Sequence, residues 1–365
     1  MSIKRTIVVT LLIFAVVVLL GGCCARQISG TNKLQIELWH SSAQKVGHLG
    51  IAQDDFNVLG KVFPADSVMS LTYRLNNGPQ IQLNFGQSEE GFRRLAGPGH
   101  FNADIPISSL GKGENRIEIT AEDRRGNCTS KKVIIDREDG SYRLPVFIDW
   151  SKVSEPQDVG QYVDGHWQLE GGGLRTMHAG YDRIFLIGEK SWQDYEITCP
   201  VTIHNVSGTT TRVSGGNGVG ILLRFTGHIV GGHRDFPPAQ PKWGYQPFGG
   251  ICWLRWKKDK PIDAPYTQFY RGDNDDRTDF AVYPVAMGEK YRMKARCETL
   301  ADKPDGCGVS RYSFKIWLDG TEEPAEWNWQ VNQVSKHALR KGGVAFLAHH
   351  VDAAFGNVSI RPLSQ

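Results

Sequence analysis

The sequence predicts an all-β protein built from two sandwich-sized domains. Three observations carry that expectation. The 365 residues include 41 Gly and 10 Trp but only 5 Met, and Thr, Val and Ile recur in short runs, a composition suited to strands and turns. Alternating polar and apolar runs recur over the first third of the chain. Beyond Val146 no apolar pattern of helical period lasts longer than two turns.

The first domain is expected over residues 33–137. Gln35-Ile36-Glu37-Leu38-Trp39 alternates as a half-buried strand does. Ser70–Leu75 and Ile81–Phe85 flank Asn76-Asn77-Gly78-Pro79, and two alternating runs around an Asn-Gly turn are the strongest short-range hairpin signal in the chain. Phe101–Ile105, Asn115–Ala121 and Ser130–Ile135 supply further strands, which together argue a β-sandwich.

Residues 138–145 are polar, turn-rich and end in Pro145, and are expected to link the domains. The second domain is expected over 146–365. Its strand candidates are Trp167–Leu169, Tyr195–His204, Gly218–Thr226, Gly250–Trp256, Lys290–Glu298, Tyr312–Leu318, Gly343–His349 and Ala354–Leu363.

Several of these segments carry a family resemblance. Leu71-Thr72-Tyr73-Arg74-Leu75-Asn76-Asn77-Gly78, Leu110-Gly111-Lys112-Gly113-Glu114-Asn115 and Ala121-Glu122-Asp123-Arg124-Arg125-Gly126-Asn127 resemble a bacterial Ig-like domain of surface proteins. Gly342-Gly343-Val344-Ala345-Phe346-Leu347-Ala348 and Ala354-Phe355-Gly356-Asn357-Val358-Ser359-Ile360 resemble the closing strands of concanavalin A-like (LamG-type) jelly rolls. Asp194-Tyr195-Glu196-Ile197-Thr198 and Tyr291-Arg292-Met293-Lys294-Ala295 fit the same pattern. The resemblances imply an Ig-like β-sandwich followed by a concanavalin A-like jelly-roll β-sandwich, the first acting as spacer. Fold alone does not settle function.

Lys4 and Arg5 precede an apolar run from Ile7 to Leu20, followed by Gly21-Gly22-Cys23. This is a charged region, a hydrophobic region and a small-residue processing site, too short for a comfortable membrane span. Leu20-Gly21-Gly22-Cys23 resembles the bacterial lipoprotein box, which implies removal of residues 1–22 and acylation of Cys23. Residues 23–32 would then form a tether, with the protein lipid-anchored at the cell envelope. Cys24 stands where an Asp would have argued for inner-membrane retention, which favours the outer membrane or cell surface. Cleavage removes two cations and no acid, lowering the net charge from +3 to +1, so charge gives no argument for a nucleic-acid partner.

Five further cysteines remain: Cys128, Cys199, Cys252, Cys297 and Cys307. Export makes disulfides permissible. Cys297 and Cys307 flank the turn-rich 301–306 and are expected to bridge one hairpin, whereas Cys199 and Cys252 are expected to pair across a sheet or to be buried thiols. No Cys/His spacing fits a zinc site.

The ligand candidates cluster in the second domain. Sugar rings stack on Trp and Tyr, while Arg and other planar polar groups bond their hydroxyls. On this ground Arg224, Trp243, Tyr245, Trp253, Arg255, Trp256, His349 and His350 are the expected carbohydrate contacts. Strand alternation places Arg224 opposite Ile221, Leu223 and Phe225, and allows only one of the two adjacent histidines to join it. The acid-rich segment 273–279 offers Asp273, Asp275, Asp276 and Asp279 as Ca²⁺ ligands, although its spacing is not that of an EF-hand.

The resemblance also implies a contrast. Laminarinase-type relatives place acids as E-x-D-x-x-E on one strand; no such spacing occurs here, and Glu322, Glu323 and Glu326 lie in a Pro-containing loop. The leading expectation is therefore a non-catalytic carbohydrate-binding envelope lipoprotein with a polysaccharide or glycan partner. The alternatives are a glycoside hydrolase (laminarinase-like or 3-keto-glycoside hydrolase-like) and a protein-binding adhesin.

Overall fold

The computed structural model describes residues 33–87, 94–206, 216–228, 240–242, 249–257, 261–271, 276–336 and 338–363. The lipoprotein-box segment lies outside them. Among the described residues the only helical elements are four three-residue 3-10 turns, and no helix is long and apolar enough to cross a membrane.

Residues 33–137 form a two-sheet sandwich. A three-stranded sheet, Gln35–Leu38, Asp55–Phe63 and His100–Pro106, faces a five-stranded sheet that includes Val68–Leu75, Gly113–Asp123 and Cys128–Arg137. The expected hairpin forms, with Tyr73 opposite Ile81. Asn76 and Asn77 sit at φ 47° and 61°, left-handed backbone that Asn tolerates, at the centre of a tight turn closed by the Gly78 N–H donating to the Leu75 carbonyl at 2.7 Å. Ile117, Ile119 and Ala121 alternate inward and, with Phe56, Val58, Leu71 and Phe101, make a core of their own.

The second sandwich is the larger. A seven-stranded sheet runs Gln161–Asp164, Arg183–Ile187, Gly343–His349, Gly216–Phe225, Gly250–Lys257, Tyr266–Arg271 and Asp276–Val282. It packs on a nine-stranded sheet centred on Tyr195–Val206, Lys290–Leu300 and Gly308–Leu318. Tyr195, Ile197, Cys199, Val201 and Ile203 alternate inward, and meet Val219, Ile221, Leu223, Leu254, Phe346 and Phe355 between the sheets. The strand Gly216–Phe225 is buried at every position, so its sheet is covered on both faces.

The outer cover explains why. A second apolar cluster, Val163, Ile184, Leu186, Leu222, Phe225, Ile251, Trp253, Ala345 and Leu347, lies on the face turned away from the sandwich core, and Ala52 of the first domain joins it. Polar groups complete the docking. Arg94 donates through Nε to Asp164 (2.6 Å) and through Nη1 and Nη2 to both oxygens of Asp104 (2.9 and 2.8 Å). Asn102 donates to the same Asp164 (2.9 Å). Buried charges persist only when paired and hydrogen-bonded. The first domain is thus packed along the second, where the sequence suggested a spacer.

The expected Cys297–Cys307 bridge is absent. Hairpin register sets Cys297 opposite Tyr312 and Leu300 opposite Val309. Cys307 lies beyond that last pair, about five residues along from Cys297, roughly 16 Å at strand rise and far outside disulfide reach. Cys199 and Cys252 are buried free thiols.

Candidate functional site

Strand register builds a site at one end of the outer face. Gly218 pairs with His349 on one side and Arg255 on the other, while Gly220 pairs with Leu347 and Trp253. Trp253 in turn lies opposite Gln268, and Gln268 opposite Asp279. Side chains two apart share a face, so His349, Arg255, Trp253, Gln268 and Asp279 project together. The two glycines form the floor. A Cβ at Gly218 would lie 2.4 Å from the Trp253 ring, and one at Gly220 2.5 Å from Trp253 Cβ. The indole leans across them until its centroid is 6.0 Å from that of His349. Trp253 Nε1 donates to Gln268 Oε1 (2.8 Å), and Arg255 stands 4.7 Å over the indole.

His349 Nδ1 is 2.7 Å from Asp182 Oδ1. An ionised carboxylate only accepts, so Nδ1 carries the hydrogen and Nε2 presents its lone pair. Burial lowers the His349 pKa despite the pull of Asp182. Burial alone would raise Asp182, but the His349 interaction outweighs it and holds the carboxyl below its usual range. The pair is a neutral imidazole oriented by a carboxylate. His349 Nε2 is buried and has no hydrogen-bond partner among the described residues, and His350 Nε2 is the same. Such atoms cost about 1–3 kcal/mol each unless something meets them.

The ring of His350 is 4.6 Å from that of His349, and Tyr181 stands edge-on to His349 at 4.8 Å. Strand alternation would have separated the histidines. His350 has φ 54° and Asp182 has φ 42°, so both leave strand geometry where they enter the site. Left-handed non-glycine backbone of this kind concentrates where surroundings enforce it, functional sites included. Burial also pushes His350 down to about 3 and Arg255 down to about 10.

Of the expected contacts, Trp253, Arg255, His349 and His350 come together. Trp243 and Tyr245 lie outside the described residues. Trp256 belongs to the sandwich core, with Nε1 donating to the Ile262 carbonyl. Arg224 is a correction. Its φ of 57° marks a β-bulge between Leu223 and Phe225, and the extra residue reverses the alternation. Phe225 therefore shares the outer face with Leu222, while Arg224 turns inward. There Arg224 Nη1 donates to Ser310 Oγ and the Leu339 carbonyl, and Nη2 to Asp194 Oδ1 and Thr299 Oγ1. It is a buried tie between the sheets, remote from His349.

Of the expected calcium ligands, the structure places only part. Asp273 and Asp275 lie outside the described residues, and Asp276 opens a strand where a loop was expected. Asp279 is in that strand, with its oxygens taken by Lys257 Nζ and Gln268 Nε2. Among the described residues no three His, Cys, Asp or Glu side chains are placed to hold a metal.

Asp182, Tyr181 and Gln268 escaped the sequence reading. Asp182 lies in a short segment with no alternation, and only the pairing of Arg183 with Ala348 brings it beside His349. Gln268 was legible only as part of a strand not recognised.

No protein-family model matches this chain, and no curated protein does. Solved structures do match in shape. The carbohydrate recognition domain of Emp46p, metal-free, is similar over 60% of this chain and 97% of its own, at 10% identity and a TM-score of 0.37. The exoplasmic/lumenal domain of VIP36 bound to Ca²⁺ and Man3GlcNAc is similar over 55% and 85%, at 11% identity and 0.35. An alginate lyase from Aplysia kurodai is similar over 57% and 88%, at 10% identity and 0.30. These are partial likenesses of shape, and they assign this chain no ligand.

Proposed function

We propose that this protein is a cell-envelope lipoprotein, acylated at Cys23, that binds carbohydrate at the end of the outer face where Trp253, Arg255, His349 and His350 meet. The observation that carries the reading is the pair of buried Nε2 atoms on His349 and His350, unpartnered among the described residues, beside an indole and a guanidinium. Hydroxyl hydrogens are the complement of imidazole lone pairs, and the CH face of a sugar is the complement of an indole. Trp253 is 4% exposed and His349 3%, too covered for an open stacking platform. The group bound is accordingly a chain end or single residue inserted among them, rather than the flank of a long polymer.

A glycan array probed with the purified chain tests this reading. Binding that Trp253→Ala abolishes supports it; silence on every glycan with a correctly folded chain overturns it. A second reading, a glycan-processing enzyme, is favoured by one observation. A neutral histidine held by a buried carboxylate is also the arrangement of a general base. Product analysis on any glycan that binds separates the two: unchanged glycan supports recognition alone, and turnover lost in His349→Gln supports catalysis.

A further inference from the structure

Four histidines meet at the seam between the two sandwiches. His40 and His100 come from the first domain, His166 and His178 from the second. Trp39 stacks on His166 (centroids 5.4 Å, 6° between planes), meets His100 edge-on at 4.8 Å and lies 6.0 Å from His178. His178 is 5.6 Å from both His100 and His166, and His40 is 5.9 Å from His166. His40 also stacks on Tyr162 of the second domain at 3.4 Å. His40 Nε2, His100 Nδ1 and His166 Nδ1 are buried with no hydrogen-bond partner among the described residues.

The charged surroundings do not favour protons here. Arg183 and Lys61 face His100 and His178, and the histidines face one another. Glu37, beside His178, is the acid that acts against them. Burial, reinforced by the neighbouring rings, lowers His40 and takes His166 to about 4, and with Arg183 and Lys61 added it takes His100 to about 3.

The seam is wired to the His349 site by one short segment. It leaves the seam at His178, on the rim, and passes Gly180, where an added Cβ would strike Ala96 of the first domain at 2.4 Å. It then supplies Tyr181 and Asp182 to the site. The Gly180 carbonyl accepts from the His350 backbone N–H at 2.8 Å.

We propose that this seam is an acid-released clamp: protonation of the histidines around Trp39 parts the two domains at that edge and, through residues 177–183, frees Asp182 from His349. Any histidine whose proton affinity is suppressed only while docked takes up a proton on release. Each adds up to about tenfold per pH unit to the open population below about 6.5. His40, His100 and His166 acting together give up to about a thousandfold per unit. Across the same seam Arg94 holds the Asp164 carboxyl below its usual range despite burial, so that ion pair resists until lower pH and the histidines act first. The inference does not depend on what the His349 site binds.

Hydrogen exchange of the purified chain, corrected for intrinsic rate and followed from about pH 7.5 to about pH 4.5, tests it. Residues 177–183 and 38–40 are expected to lose protection by more than about tenfold per pH unit while Gly343–His349 stays protected. His166→Gln should make that loss shallower by about tenfold per unit. Protection that holds to about pH 4.5, or that vanishes together with the core strands, overturns the proposal. The wild-type titration decides the matter alone if the variant does not fold.

Discussion

Asp182 and His349 lie 167 positions apart in the chain, and their side chains meet at 2.7 Å inside the fold. Two left-handed turns, at Asp182 and at His350, bracket the contact. The carboxylate fixes which imidazole nitrogen carries the hydrogen, and so decides what the other nitrogen offers a ligand.

Asp182→Asn should therefore damage binding without removing a ligand contact. The Asn amide can donate to Nδ1, which moves the ring hydrogen to Nε2 and turns an acceptor into a donor. We expect affinity for any glycan identified to fall by about tenfold or more, about 1.4 kcal/mol, by isothermal titration. Unchanged affinity would show that the His349 lone pair is not used.

Thermal stability should decline as pH falls below about 6.5. The folded-state pKa values of His40, His100, His166, His349 and His350 all lie below the unfolded value. Below that value the unfolded chain binds more protons than the folded one, so stability is full above it and lost on acidification. Scanning calorimetry across the range checks this; a melting temperature constant from about pH 7 to about pH 4.5 would contradict it.

Arg224→Met should destabilise the second sandwich while leaving ligand affinity of the folded fraction intact. Arg224 is wholly buried and ion-paired with the partly exposed Asp194 at 2.8 Å. Losing one partner of a buried pair costs about 3 kcal/mol, readable by urea denaturation. A loss of affinity with unchanged stability would return Arg224 to the binding site.

Chelation should leave binding unaltered. Asp279 is engaged by Lys257 and Gln268 rather than turned toward a metal position. A glycan titration that collapses in EDTA and recovers with Ca²⁺ would place a metal site among residues other than those described.

Much of this was written in local pattern, and some was not. The Asn76-Asn77 hairpin and the inward alternation of Tyr195–Ile203 were legible because each depends on neighbours in sequence. Trp253, Arg255 and the two histidines were singled out by residue type, and it is strand register that brings them together. Arg224 was misplaced because a one-residue bulge inverts every parity argument beyond it, and nothing in Leu222-Leu223-Arg224-Phe225 announces a bulge. The docking of the first domain was hidden for a different reason. Arg94 and Asp104 are far from Asp164 in sequence, and the three become partners only in the fold.

The most direct test of the central claim is one titration: a glycan recovered from array screening, measured against wild type and against His349→Gln with matched circular dichroism spectra. The account predicts saturable binding by the wild type and at least about a tenfold loss in the variant. Equal binding by both would contradict the placement of the site at His349, and with it the reading of this face as the one that recognises carbohydrate.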